Sequence, residues 1–349
     1  MSTERVYYPA ADIIRIIAGV GVILIHVTDP FIVYPPYFGI GGTSWWILNF
    51  INAFFRASVP LFIMLSGYLI LDITKELNFK EFYTRRLAKI GIPVLFWVAF
   101  YFIWLQILGT SQSVSVIIHS ILTVNLAYLY FLVIILELYY IMPLIYVFMK
   151  NTNFKSRRIL LLSSLFFTLT LGFVNALYPS QKISLSENIV TIFLPYVYYF
   201  LVGFFLKKVK ISLIHVISLF ILYLYLIIFI AIASGGVIAS YFRQYNSVTI
   251  VVAAQISFII LLQLNRIKNL SQSKKIRDTI KYVATLIFGA YLVHMMIIEG
   301  LNKFTEWIPG LIGSPLWVLV ILKTLAVIVL SFVVVAVGKK IPYVKYLFG

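Results

Sequence analysis

Four ionisable side chains lie in the first apolar segment of the chain, "ADIIRIIAGVGVILIHVTD", residues 11–29. Arg15 and His26 are eleven residues apart, and eleven helical residues turn through about 1100°, which is three turns plus about 20°. The two side chains therefore share one helix face, about 16 Å apart along the axis. Asp12 and Asp29 are each three residues from one of them and can join that face. An imidazole so placed can accept a proton, and an arginine can bind an anion.

A structural explanation of the same residues is also open. Asp12 and Arg15 could lie at one membrane interface, with Arg15 extended towards water, while His26 and Asp29 end the helix at the other. The alignment of Arg15 with His26 on one face favours the functional interpretation. Gly19 lies on the same stripe and would let another helix approach closely.

The composition is that of a polytopic membrane protein. Of the 349 residues, 62% are hydrophobic and 11% are charged, against roughly 25% charged in soluble domains. The net charge of +17 lies in short clusters between apolar runs, so we expect no nucleic-acid partner. The chain has no cysteine, which excludes disulfides, thiolate nucleophiles and cysteine metal sites. No metal is expected, and the partner implied by the apolar runs is the lipid bilayer.

A membrane-spanning helix needs about 20 mostly apolar residues. This criterion predicts an all-α helix bundle of about ten transmembrane helices in one domain, residues 1–349. The stretch 112–124 is too short to span and is expected at the interface or as a re-entrant piece. The predicted spans are 10–28, 50–72, 88–109, 126–149, 159–178, 188–206, 212–233, 247–264, 282–301 and 316–338.

Lysine and arginine are concentrated in alternate connections, which predicts orientation. One set of connections carries most of them, in residues 75–89, 150–158, 207–210, 266–281 and 339–345. The opposite set holds only Lys182, Arg243 and Lys303. We therefore expect both termini in the cytoplasm, and the charge clusters also to attract anionic lipid heads.

Other ionisable groups lie in or beside the predicted spans, where a buried charge costs about 2.5–3.5 kcal/mol on insertion scales. Arg56 precedes Pro60, which we expect to break or kink the second helix near the depth of His26. Glu137 lies in the middle of a span. It could be a catalytic group, or it could pair with a cation inside the membrane. His294 lies near the end of its helix, in a packing or a catalytic role.

The segment "FYTRRLAKIGIP" holds a basic cluster on the expected cytoplasmic side. Arg86 and Lys89 are three residues apart and can grip one anionic group, and Arg85 lies beside them. Anchoring of the topology by these charges is the alternative explanation.

Several of these segments, in this order, resemble the acyltransferase 3 family of membrane-bound O-acyltransferases. The resemblance rests on "ADIIRIIAGVGVILIHV", "SVPLFIMLSGYLIL", "FYTRRLAKIGIP", "LYFLVIILELYYIMPLI", "YVYYFLVGFFL" and "FGAYLVHMMI". Arg15 and His26 match the family's Arg-x10-His pattern. The chain departs from the pattern at Lys89, where a second arginine is common, and at Tyr130, where tryptophan is common. We expect no hydrolase-like domain after the last span, which would make the protein similar to the stand-alone members.

The resemblance implies transfer of an acyl group, usually acetyl, from cytoplasmic acyl-CoA to a hydroxyl of a glycan or lipid-linked sugar at the plasma membrane. Arg86 and Lys89, with Arg85 beside them, would hold the phosphates of the donor. His26 would act as base or acyl relay, and Arg15 of the same pattern would be a further catalytic residue. Asp29 would orient the His26 ring, and Arg56 would stabilise the oxyanion. Asp12, Glu137 and His294 are further candidates. A transporter or exporter of a glycan or small solute would also use a polar stripe through a bundle.

Overall fold

The computed structural model describes residues 7–33, 41–109, 130–178, 189–233, 241–306 and 315–349, and all regular structure within these ranges is helical. This confirms the predicted all-α bundle. The predicted interfacial stretch 112–124 lies outside the described residues. The helices are α1 (Pro9–Val33), α2 (Thr43–Phe55), α3 (Ser58–Ile70), α4 (Phe79–Arg86), α5 (Ile92–Ile107), α6 (Tyr130–Asn151), α7 (Phe154–Leu177), α8 (Val197–Phe205), α9 (Leu213–Ile232), α10 (Val248–Leu262), α11 (Lys268–Gln272), α12 (Lys274–Glu306) and α13 (Leu316–Gly338).

Nine of the ten predicted spans correspond to helical stretches in the described ranges that are long and apolar enough to cross a membrane. The sixth, 188–206, differs, because its described part forms only the nine-residue helix α8 after a short tight turn, Leu194–Tyr196. Pro195 in that turn has no amide hydrogen, so a regular helix cannot run through it without losing a hydrogen bond.

Two glycines let α8 cross α3 at backbone distance. A Cβ atom on Gly67 would lie 1.8 Å from the carbonyl oxygen of Phe200, and one on Gly203 would lie 1.8 Å from that of Met64. Side chains would clash with rigid backbone at both positions. Close approach of this kind strengthens dispersion contacts where lipid supplies little hydrophobic driving force.

The second span is broken between α2 and α3, as Pro60 predicts. Proline cannot donate to the carbonyl four residues earlier, which here is that of Arg56. The helix ends with the Arg56 amide bonded to the Ala53 carbonyl at 3.2 Å, and α3 begins at Ser58. The break leaves the Arg56 side chain free to turn towards α1.

A second proline reshapes the chain between α4 and α5. Leu87–Gly91 forms one wide helical turn, in which the Ile92 amide donates to the Leu87 carbonyl. Pro93 follows, and it cannot donate to the carbonyl of Lys89. Arg86 and Lys89 are therefore presented from a widened turn at the start of a membrane-spanning helix.

Helix α1 is the central element of the bundle. It packs against α2, α3, α10, α12 and α13. Its buried face carries small and branched residues, among them Ile14, Ala18 and Val22. The ionisable stripe therefore runs through the bundle beside a closely packed face.

Candidate functional site

Helices α1 and α12 run in the same direction and meet at two points in matching register. A Cβ atom on Gly19 would lie 2.4 Å from Cγ2 of Ile287, so glycine allows α12 its close approach. Seven residues further along each helix, the rings of His26 and His294 have centroids 5.3 Å apart, tilted by 38°. The two contacts are about 10.5 Å apart along the axis. The structure thus pairs two histidines that are distant in sequence.

The His294 ring has a fixed tautomer. Its side chain is only 1% exposed, and Nδ1 lies 2.5 Å from the carbonyl oxygen of Tyr291. A carbonyl oxygen only accepts hydrogen bonds, so Nδ1 carries the proton of the neutral ring and Nε2 carries the lone pair. Nε2 is buried and has no hydrogen-bond partner within the described ranges. His294 therefore holds an unused proton acceptor beside His26.

Asp29 lies next to this pair in an inter-helix network. Its Oδ1 accepts hydrogen bonds from Nδ2 of Asn52 at 2.9 Å and from Nη1 of Arg56 at 3.1 Å. The same Asn52 amide lies 2.9 Å from the Thr28 hydroxyl, and Arg56 Nε donates to the carbonyl of Arg243 at 3.0 Å. The side chains of Arg56 and Asp29 are 19% and 31% exposed, so the pair is partly shielded from water.

Arg243 completes the network, and we did not select it as a site residue from the sequence. Its guanidinium donates to the side-chain oxygens of Asn49 and Asn52 and lies 3.5 Å from the Ile230 carbonyl. Burial, followed by the neighbouring charge of Arg56, lowers the pKa of Arg243 to about 10. In the sequence, the one sign of a special role for Arg243 is that it lies in a connection on the side with few basic residues.

Arg56 also contacts an aromatic ring, which belongs to a cluster of three tyrosines. Its guanidinium carbon lies 5.4 Å from the centroid of the Tyr245 ring. That ring is 6.4 Å from the ring of Tyr130 and 6.5 Å from that of Tyr196. An aromatic ring stabilises a cation through its electron-rich face, so Tyr245 helps to hold Arg56 in place as Asp29 does.

At its other end α1 carries a local charge cluster. Asp12 accepts hydrogen bonds from Arg15 at 2.7 Å and from the Tyr7 hydroxyl at 3.0 Å. The ammonium of Lys281 lies 4.5 Å from the centroid of the Tyr7 ring. Burial and, after it, the charge of Asp12 raise the pKa of the Tyr7 hydroxyl. The structure therefore brings Asp12 and Arg15 together as their spacing suggests.

A cavity of about 310 Å³ connects the basic cluster with the interior. Arg15, Arg86 and Lys89 line it, and so does Tyr291 of α12. In the register of the two helices Tyr291 lies level with residue 23 of α1, about 12 Å beyond Arg15. Its ring is 5.3 Å from that of His294. The cavity thus begins among cations and ends at Tyr291, whose ring contacts that of His294.

The cavity walls between these ends are mainly apolar and aromatic. Ser66 lines the cavity, and its hydroxyl lies 3.2 Å from that of Tyr139. The guanidinium of Arg86 lies over the Tyr139 ring at 5.1 Å and over the Phe82 ring at 5.5 Å. Stacking on two rings restrains Arg86 at the entrance while leaving its charge available to an anion.

Two other residues predicted for the site, Arg85 and Glu137, lie outside the cavity and the histidine pair. Arg85 forms an ion pair with Glu81 one turn earlier on α4, and it does not line the cavity. Glu137 bonds to the backbone of Phe193, and its Oε2 has no hydrogen-bond partner in the described part of the chain. In the same ranges no group of three or more histidine, aspartate and glutamate side chains is arranged to hold a metal ion.

Comparison with protein-family models matches residues 8–336 to an acyltransferase domain. The chain belongs to the acyltransferase 3 family. The match includes both ends of the α1 stripe, the basic turn after α4 and the histidine of α12, and it confirms the resemblance seen in the sequence. No curated protein and no solved structure matches the chain. This acyltransferase 3 family member is therefore a multi-pass membrane acyltransferase.

Proposed function

We propose that the protein transfers an acyl group, with acetyl expected, from acyl-CoA to a hydroxyl of a cell-envelope glycan or lipid-linked sugar. The observation that supports this most is the cavity that begins at Arg15, Arg86 and Lys89 and ends beside the histidine pair. Its cationic mouth suits the phosphates of a nucleotide-bearing donor, and its apolar walls suit a thin acyl-carrying arm.

The charged mouth would face the cytoplasm, where acyl-CoA is made. This orientation agrees with the concentration of lysine and arginine in the connections on the Arg15 side of the bundle. Both termini would then lie inside, and the protein would reside in the plasma membrane. Arg86 and Lys89, with Arg15 behind them, would bind the donor phosphates as separate charges along the path.

The reacting groups would meet at the His26 end. There His26 serves as general base for the hydroxyl or as carrier of the acyl group, and Arg56 stabilises the oxyanion that forms at the thioester carbonyl. Asp29 holds Arg56 in position through its carboxylate. The expected contact of Asp29 with the His26 ring stays a prediction.

Turnover of acyl-CoA by purified protein in proteoliposomes tests this function and separates it from solute export. Release of free CoA that depends on the protein, with acyl groups appearing on a hydroxyl acceptor, is the expected result. Solute flux without CoA release would instead establish a transporter and overturn the proposal. Mass spectrometry of envelope glycans from cells with and without the protein identifies the acceptor.

A further inference from the structure

The buried Nε2 of His294 has no hydrogen-bond partner among the residues that the structure describes. Buried polar atoms almost always have a hydrogen-bond partner, and an unpaired one lowers stability. Here the Tyr291 carbonyl fixes the proton on Nδ1, so the lone pair of Nε2 is kept for another group. Among the described residues nothing donates a hydrogen bond to that lone pair, so it can accept a proton.

The ring of His26 lies beside the His294 ring, with 5.3 Å between the two ring centroids. His26 is only partly buried, whereas His294 is almost wholly buried. The two rings can therefore serve one acyl carbon in different ways. One ring can carry the carbon, while the other accepts a proton from the hydroxyl that attacks it.

We propose that His26 carries the acyl group and that Nε2 of His294 takes the proton of the acceptor hydroxyl. This rests on the acyl transfer proposed above and assigns its two histidines different tasks. His294 acts as the general base, in a tautomer that is set before any substrate binds.

The reaction has two steps, each of which conserves atoms and charge. A ring nitrogen of His26 attacks the thioester carbonyl, the new C–N bond forms, the C–S bond breaks, and CoA leaves as the thiolate. The acceptor oxygen then forms the ester bond, its proton moves to Nε2 of His294, and the C–N bond to His26 breaks. His294 afterwards releases that proton, which balances the proton taken up by the thiolate. The positive charge passes from the acylated His26 ring to the protonated His294 ring, so the two rings never carry two positive charges at once.

The variant His294→Asn isolates the proposed role. The asparagine amide can still donate to the Tyr291 carbonyl from the position of Nδ1, but it has no basic nitrogen at the position of Nε2. His26→Asn removes the acyl carrier. His215→Asn is the matched control, since His215 is exposed at the start of α9 and contacts Ser212.

Two readouts separate the steps. Purified variants in proteoliposomes receive acetyl-CoA labelled in the acetyl group, and rapid quenching followed by peptide mass spectrometry locates the label. Cells that express each variant are assayed for acetate released from their envelope by mild base. We expect His294→Asn to release about one CoA per protein and keep the label on His26, while acetate in cells falls at least about 100-fold.

We expect His26→Asn to show neither labelling nor envelope acetate, and His215→Asn to behave as the native protein. Envelope acetate within threefold of the native amount in His294→Asn would overturn the proposal. So would the absence of the labelled intermediate from both the native protein and His294→Asn. If native protein releases no CoA and adds no acetate, the proposed function fails, which is a different outcome from failure of the assigned tasks.

Discussion

The two ion pairs of α1 are built in different ways. Asp12 and Arg15 pair within one helix, three residues apart, and Arg15 lines the cavity next to Arg86 and Lys89. Asp29 pairs with Arg56 across a helix boundary. Asparagines from α2 and a guanidinium from the connection before α10 complete that second network.

Under the proposed function, this difference separates ligand binding from chemistry. At the Arg15 end, the cations lining the cavity would bind an anionic donor. At the His26 end, protein groups already satisfy the charges, so those charges would need no rearrangement when charge develops on a reacting carbonyl. Substitutions at the two ends should therefore change different kinetic parameters.

The largest expected effect is at the His26 end. His26→Ala should lower acyl transfer at least about 100-fold without loss of expression, because no other group replaces the imidazole at that position. CoA release from reconstituted protein measures it. Native activity in His26→Ala would remove His26 from the mechanism.

A smaller loss should follow when the helix register is disturbed. Gly19→Val places a side chain into Ile287, which cannot move aside as the end of a flexible chain would, and so α12 is pushed from α1 and the histidines separate. We expect activity to fall at least about tenfold in protein that still elutes as a folded species. Gly300→Ala is the control, since its Cβ would be 3.5 Å from Trp104, an ordinary contact.

Removing one carboxylate at each end compares the two ion pairs directly. Asp29→Asn should lower the free energy of unfolding by about 1–3 kcal/mol, because it leaves Arg56 without its countercharge in a partly shielded site. Asp12→Asn should lower it by less than about 1 kcal/mol, because its partner is more accessible to water. Thermal unfolding in detergent measures both. Equal losses would show that the two pairs are not built differently.

The smallest effect is expected at the cavity mouth. Arg86→Ala and Lys89→Ala should each raise KM for acyl-CoA about tenfold with little change in kcat, since each removes one of several charges that bind phosphate. Arg85→Ala should leave KM nearly unchanged, because Arg85 pairs with Glu81 outside the cavity. A large change in kcat for Arg86→Ala or Lys89→Ala would show that these residues take part in the chemical step and not only in binding the donor.

The sequence predicted what depends on periodicity within one helix. The shared face of Arg15 and His26, the pair Asp12–Arg15 and the break near Pro60 follow from helical geometry and from the missing amide of proline. The apolar lengths predicted nine of the spans, while the short helix α8 depends on Pro195 and on a glycine crossing that no length criterion detects.

Contacts between distant segments could not be predicted in the same way. His294 was a candidate, but its position beside His26 depends on the register of α1 with α12, which the Gly19 contact fixes in three dimensions. Arg243 and the asparagines Asn49 and Asn52 carry no periodic signal. Polar residues at the ends of helices are common in any bundle. Only their contacts in the folded structure distinguish Arg243, Asn49 and Asn52 from the others.

The break before α3 also bears on how the protein is made. An arginine in a span of 28 residues is unfavourable to insert alone, by about 2.5–3.5 kcal/mol. Its countercharge, Asp29, is only 27 residues earlier in the chain, whereas Arg243 is 187 residues later. The first two membrane segments can thus enter the bilayer as a charge-neutral hairpin before the rest is synthesised. In a chain shortened to end after α3, Asp29→Asn should reduce insertion of the second segment, as measured with glycosylation tags.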